Sequence, residues 1–307
     1  MDVFSERQAQ LVKLIGRGLK SHVSLKDELA FGVGGVADFF IKANTLDLLI
    51  RSIGAAQDID SPFLIVGQGS QTLFSDYGFP GLVIVNRTER IEFVPAAGHV
   101  LVDAGVTWPA VILQAASRGF GGFESLLLAD GSVGGSLMQN RLSPMGLAPY
   151  HYLRGATVMA GNGTISRLKQ SPKKGQILLV ASLQLVQTRR DELLRRIRRF
   201  EDQRRRFKKP GRRWLGPVFH SDFQVADSNY LSSHFQSARV LNFSVGGAVF
   251  SEERPNYIEA RGRVTARAVR ELVEQVYERL LARAPTESIT CSLKFVGSWG
   301  DERDARN

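Results

Sequence analysis

The run over residues 63–85, FLIVGQGSQTLFSDYGFPGLVIV, constrains this chain more than any other. Residues 63–66 and 82–85 are apolar and rich in β-branched side chains, and turn residues bound them. That is the pattern of buried strands. Between them lies Gly67-Gln68-Gly69-Ser70-Gln71. Glycine lacks a Cβ, takes positive φ readily and lets a ligand approach the backbone. Successive bare N–H groups in such a turn form a concave anion site, and Ser70 adds a hydroxyl donor. A diphosphate suits this loop, although a plain tight turn between strands has the same local pattern. Residues 72–81 hold Asp76, two glycines and Pro80, so no good helix follows. The pattern is therefore not the dinucleotide fingerprint of a doubly wound sheet, which needs a helix directly after its glycines.

A second glycine stretch lies in residues 119–140, GFGGFESLLLADGSVGGSLMQN. Here Gly131-Ser132-Val133-Gly134-Gly135 stands between an apolar run and Gln139-Asn140. Two such loops, about sixty residues apart, suit the two ends of a large phosphorylated cofactor.

With these loops the chain resembles the UDP-N-acetylenolpyruvoylglucosamine reductase (UDP-N-acetylmuramate dehydrogenase) family, flavoproteins that make UDP-N-acetylmuramate for bacterial peptidoglycan. The likeness is carried by FGVGGVAD at 31–38, by residues 66–81, by VDAGVTWP at 102–109 and by residues 119–140. Weaker matches run through 244–257 and 293–297, so it spans about residues 22–298. It implies an α+β fold, with an FAD-binding region of the reductase/PCMH type and a smaller α+β C-terminal domain of the substrate type. The expected divisions are an N-terminal helix over 1–21, the FAD-binding region with two α/β subdomains over 22–187, a basic helical linker over 188–213 and the C-terminal domain over 214–300. The residues expected to hold FAD are Gly67, Gln68, Gly69, Ser70, Gln71, Asp76, Gly131, Ser132, Val133, Gly134, Gly135 and Asn140. Relatives usually carry asparagine where Gln71 stands. The resemblance further implies NADPH as reductant and a UDP-sugar or related nucleotide as ligand, with Glu252 and Asn256 on the substrate side.

In the family reaction NADPH reduces FAD, the flavin passes hydride to an enolpyruvyl double bond, and an acid protonates the resulting carbanion. Relatives use a serine in a G-S-x-F-K-N motif as the acid. A glutamate near the C-terminus and an arginine in a Y-R-x-S motif support it. In this chain the serine position aligns with Pro217, which has neither a labile proton nor an N–H. The neighbouring lysine becomes His220, the glutamate becomes Ser292, and the arginine becomes Lys169, which lacks the planar fork that grips a carboxylate. A loop of alanine, tyrosine and glycine that follows Asn140 in relatives is replaced over 141–146, with no tyrosine in register. Ser221 and His220 lie close enough in sequence to substitute as donors. Proton donation is worth about 10²–10⁴-fold, and losing several groups that act together leaves little rate. The expectation is an FAD-binding relative with low or no reductase activity. One alternative is an active NADPH- and FAD-dependent dehydrogenase with a relocated donor; another is a basic binding module without flavin.

Charge bears on that last alternative. The formal net charge is +10 over 307 residues. Residues 189–213 hold thirteen Lys or Arg against four Asp or Glu, so the excess is concentrated there. Such a block binds nucleic acid or an acidic partner, or it is a solvated helix docked by Leu193, Leu194, Ile197 and Phe200. No apolar run approaches the roughly 18 residues that span a membrane. The charged N-terminus reads as a short amphipathic helix rather than a secretory signal. One cysteine, Cys291, allows no internal disulfide and fits a reducing compartment, so the expected location is the cytoplasm. His99, His151 and His234 are isolated, and no spacing suggests a metal.

Along the chain, residues 37–42 read as a strand and 45–56 as a helix capped by Thr45. Residues 101–104 read as a strand, and 108–117 as a helix stopped at Gly119. Strands at 157–160 and 176–186 are expected to join through Gly161-Asn162-Gly163. Short extended pieces are expected at 218–223, 240–243 and 248–250, then a strong helix over 265–282 and a final strand over 288–296.

Overall fold

The computed structural model describes residues 3–139, 149–207, 211–221, 230–283 and 289–300. The first lobe runs through α1 (Val3–Ile15), β1 (Lys20–Ser24), the one-turn α2 (Leu25–Glu28), β2 (Val36–Ala43), α3 (Leu46–Asp58), β3 (Phe63–Val66), β4 (Thr72–Phe74) and β5 (Phe79–Asn86). Thr45 caps α3, its hydroxyl accepting the Leu48 amide at 3.2 Å. The strand order is β1-β2-β5-β3, with β5 parallel to both neighbours. From Leu82 onward β5 has no solvent face. Leu82 and Ile84 enter a core with Leu11, Leu49 and Ile53, while Val83 and Val85 enter another with Leu25, Phe40 and Phe74. A parallel strand covered on both faces needs such a continuous apolar run.

The second lobe comprises β6 (Ile91–Val94), β7 (His99–Asp103), α4 (Trp108–Ser117), β8 (Phe120–Gly121), α5 (Val133–Gln139), β9 (Leu153–Met159), β10 (Ile165–Leu168), β11 (Ile177–Gln184) and β12 (Val186–Gln187). Its main sheet is antiparallel, in the order β10-β9-β11-β7-β6. Trp108, Val111 and Ile112 of α4 share a core with Val100 and Val102 of β7. The turn at Gly161-Asn162-Gly163 departs from expectation. It leads into β10 rather than into the strand near 176–186, and β9 pairs with both β10 and β11. β10 is an edge strand whose side chains are mostly exposed, so no apolar alternation marks it. Next comes α6 (Arg190–Phe207), anchored by Leu193 and Ile197 in the second-lobe core. Leu194, expected to dock as well, is 42% exposed. One residue is about 100° of helix turn, which carries it away from the seam that Leu193 occupies.

The C-terminal part contains β13 (Trp214–Leu215), β14 (Phe219–Ser221), α7 (Tyr230–Ser237), β15 (Ser244–Val245), β16 (Ala248–Phe250), β17 (Ile258–Ala260), α8 (Ala266–Arg283), β18 (Ile289–Cys291) and β19 (Lys294–Val296). β13-β17-β16-β15 form a sheet, and Val269, Leu272, Val276 and Leu280 of α8 share its core. The expected extended piece at 240–243 is a turn after α7. Arg239 and Asn242 take φ of +53° and +59° there, which no strand accommodates. The expected single strand over 288–296 is two. β18 pairs with β14, and β19 runs parallel to β4 with Lys294 opposite Thr72. β19 thus returns the chain to the first lobe, and Phe31, Val33 and Leu73 lie in the C-terminal core.

A second tie crosses the same boundary. The Asp76 carboxylate accepts the amides of Ala266 and Arg267, each at 2.9 Å, and so caps α8. Negative charge at a helix N-terminus satisfies bare amides and complements the helix dipole. Asp76→Ala is expected to lower unfolding free energy by about 1–2 kcal/mol, read as a lower urea midpoint.

Candidate functional site

The two glycine loops face each other. The first connects β3 to β4, and the second leads into α5. The Ser70 hydroxyl donates to the Asp130 carbonyl at 3.4 Å. A Cβ added to Gly67 would stand 2.5 Å from the Ser132 hydroxyl oxygen, and one on Gly131, at φ +111°, 3.2 Å from that of Ser70. Side chains here would close the gap, so the bare backbone keeps it open. The resulting cleft is lined by Gly67, Gln68, Gly69, Ser70, Gln71, Thr72, Asp130, Gly131, Ser132, Gly135, Ser136 and Gln139. Among the described residues, nothing accepts the amides of Gln68, Gly69 or Ser70. These are the donors that an anionic diphosphate requires.

Three of the expected cleft residues are placed otherwise. Val133 is buried, and its amide donates to the Val106 carbonyl at 2.7 Å. A Cβ on Gly134 would come within 2.6 Å of the Ala104 Cβ, so this glycine serves close packing behind the loop. Asp76 is turned to α8, as above. Asn140 and residues 141–146 lie outside the described residues. Arg87, which the sequence did not single out, donates to the Gly67 carbonyl at 2.8 Å and steadies the first loop. Burial lowers its pKa, and the Glu28 carboxylate opposes that shift.

The C-terminal part supplies one rim. Gln71 donates through Nε2 to the Pro217 carbonyl at 2.7 Å, and its own carbonyl accepts the Lys294 amide at 2.9 Å. The Gly216 amide donates to the Ser70 carbonyl at 2.8 Å. The first glycine loop is therefore held by main chain from both β14's approach and β19.

The FAD binding domain family matches residues 37–169, which contain both loops. The UDP-N-acetylenolpyruvoylglucosamine reductase of Acaryochloris marina is 31% identical over 276 residues, covering 85% of this chain and 88% of that protein. The chain belongs to the UDP-N-acetylenolpyruvoylglucosamine reductase family. The enzyme of that name from Gloeobacter violaceus is 26% identical, covering 86% of this chain and 92% of its own length. The fold is that of the Thermus caldophilus UDP-N-acetylenolpyruvylglucosamine reductase crystal structure, with a TM-score of 0.69 at 24% identity, covering 90% of this chain and 98% of that one. The cofactor indicated is FAD. The open cleft between the glycines, with its unclaimed amides, fits a diphosphate-bearing group of that kind.

Pro217 stands at the residue bonded to Gln71, three positions before His220. Ser292 is buried, and its hydroxyl lies 3.2 Å from His220 Nδ1. The Thr290 hydroxyl is 2.7 Å from His220 Nε2. The fold therefore brings together two residues, 72 apart, that the family resemblance assigns to the lysine and glutamate positions. Ser221 ends β14, its backbone opposite Ile289. Lys169 is exposed just beyond edge strand β10. The two residues expected on the substrate side both make hydrogen bonds within the C-terminal part. Asn256, at φ +68°, donates to the Phe219 carbonyl and accepts the Phe219 amide, both at 2.7 Å, so its amide group is committed to holding β14. Glu252 accepts from Asn242 at 2.6 Å on the surface. Neither lines the cleft.

Sequence reasoning also missed a buried ion pair. Arg254, 7% exposed, pairs with Asp130 of the second loop and lies 3.5 Å from the Tyr257 ring centroid. Arg204 of α6 donates to the Leu127 carbonyl nearby. Burial pulls the Arg204 guanidinium below its usual range, and the Asp130 carboxylate opposes that shift. Burial likewise pushes the Tyr257 phenol well above its usual value.

Proposed function

We propose that this chain is a flavoprotein of the peptidoglycan-precursor branch that holds FAD between its two glycine loops and receives a UDP-sugar or related nucleotide, with little or no reductase turnover. NADPH is its reductant and the cytoplasm its location in this reading. The observation that carries it is Pro217 at the rim, its carbonyl fixed by Gln71 at 2.7 Å, where relatives carry a proton-donating serine.

Bound FAD supplies two-electron transfer between a nicotinamide and an enolpyruvyl double bond. The chain's own residues divide into those that bind and those that move protons. Gly67 to Gln71 and Gly131 to Ser132 offer amides and hydroxyls to the diphosphate, and Arg87 holds the first loop in shape. On the proton side, Pro217 offers nothing, and Lys169 offers a point charge in place of a bidentate fork. Ser292 offers a hydroxyl already engaged with His220.

The test is a visible absorption spectrum of the purified protein, before and after FAD is added, then NADPH without air. A flavin spectrum that bleaches on NADPH is expected. Colourless protein that takes up no added FAD would remove the reading. A second reading is favoured by one observation, the His220, Ser292 and Thr290 contacts. In it these groups replace the lost acid, and turnover with the enolpyruvyl compound persists.

A further inference from the structure

We propose that Arg254 is the positioning residue of the flavin cleft, and that it acts by neutralising Asp130 within the cleft lining. This rests on the flavoprotein reading above. Asp130 is where three parts of the chain meet. Its carbonyl accepts from Ser70 of the first loop at 3.4 Å, and its own position opens the second loop. Its carboxylate pairs with Arg254, which arrives from the turn between β16 and β17, 124 residues further on.

That arginine is held firmly. Its amide donates to the Ser251 hydroxyl at 3.0 Å, and its carbonyl accepts the Tyr257 amide at 3.1 Å. The guanidinium lies over the Tyr257 ring. The same ring presses on the rim, since a Cβ on Gly216 would sit 2.8 Å from Tyr257 Cδ1. Ring, guanidinium and carboxylate thus form one chain of contacts from the rim at Gly216 to the second loop at Asp130.

The electrostatics explain why this pair belongs here. A carboxylate among the lining residues opposes the approach of a diphosphate, because like charges repel strongly where water is scarce. Arg254 cancels that charge without filling the cleft. Removing the guanidinium takes away the cation in contact with the Asp130 carboxylate, and breaking one partner of a buried pair is costly. The flavin phosphates then meet a loop one charge more negative, with Arg204 as a more distant cation. Removing both charges restores the original balance, which an anion tolerates.

The experiment titrates the full-length apo-protein with FAD, following flavin fluorescence, for the wild-type chain, Arg254→Met, Asp130→Asn and the double variant. Thermal unfolding without FAD is recorded in parallel. Arg254→Met is expected to weaken FAD binding about tenfold or more, the effect of roughly 1.4 kcal/mol. Asp130→Asn is expected to stay within about threefold of wild type, and the double variant to recover to a similar level, a coupling that a double-mutant cycle isolates. Arg254→Lys, which keeps the charge but not the fork, is expected to fall between. A purely structural role for Arg254 predicts that FAD affinity falls and recovers only in step with thermal stability, because removing the stranded carboxylate also relieves a structural pair; the electrostatic role predicts a loss of affinity at temperatures where Arg254→Met is fully folded. Arg254→Met binding like wild type, or a double variant as weak as Arg254→Met, overturns the proposal. A wild-type chain that binds no FAD overturns the flavoprotein reading, and this proposal with it.

Discussion

Gly297→Ala is expected to destabilise the protein by about 2–5 kcal/mol. Two costs combine. Gly297 takes φ of +94°, a conformation that L side chains resist. A Cβ there would also stand 2.1 Å from the Gly78 carbonyl oxygen, which is backbone and cannot swing aside. The contact is tight because β19 docks into the first lobe directly before it, where the Ser75 amide donates to the Val296 carbonyl at 2.8 Å. Gly262→Ala separates the two costs. Gly262 has φ of +73° with nothing within 4 Å of its added Cβ, so it carries strain alone, about 1–2 kcal/mol. Urea unfolding of both variants decides the matter. Equal losses would mean that β19 and Gly297 do not close against the first lobe as described. Because the Lys294 amide also holds the Gln71 carbonyl, Gly297→Ala should weaken FAD binding as well.

The parts of this architecture that the sequence revealed are those whose signal is local. The strand at 82–85 announces itself because both faces are buried, and α3, α4 and α8 because one stripe is. The two glycine loops were readable because an open backbone needs missing side chains over consecutive positions. What escaped has a distant or ambiguous cause. β10 is exposed and has no periodicity. Asp76 falls within the family motif over residues 66–81 and is expected at the cofactor, yet its acceptor atoms serve amides 190 and 191 residues away. The family resemblance puts Asn256 on the substrate side, and only the fold shows that its amide group also holds β14 through Phe219. The Asp130 and Arg254 pair was illegible for a further reason. Each is an ordinary charged residue beside a turn, and only the fold makes them a buried pair. His220 and Ser292 were named separately at the sequence level. Their contact depends on the pairing of β14 with β18, which no short-range pattern encodes.

That contact determines the shape of the other large effect. NADPH consumption linked to the enolpyruvyl form of a UDP-sugar is expected to run at least about 10²-fold slower than consumption linked to an artificial dye acceptor in the same FAD-loaded protein. The dye takes electrons without needing a carbon protonated, so it reports the flavin cradle alone. The enolpyruvyl compound needs both, and in the proposed reading Pro217 occupies the position of the acid. An internal comparison matters because it cancels differences in flavin content and in NADPH binding. His220→Phe then distinguishes the two readings. If the serine route is closed and nothing replaces it, the variant leaves both rates unchanged. If the two rates are comparable in wild type, and His220→Phe lowers only the enolpyruvyl-linked one by about 10²–10⁴-fold, the relocated-donor reading stands and the low-turnover reading fails. His220 is a fair probe because its partners, Ser292 and Thr290, are side chains on β18 and just beyond it rather than part of the glycine cleft. A change confined to proton delivery should therefore leave FAD affinity where it was.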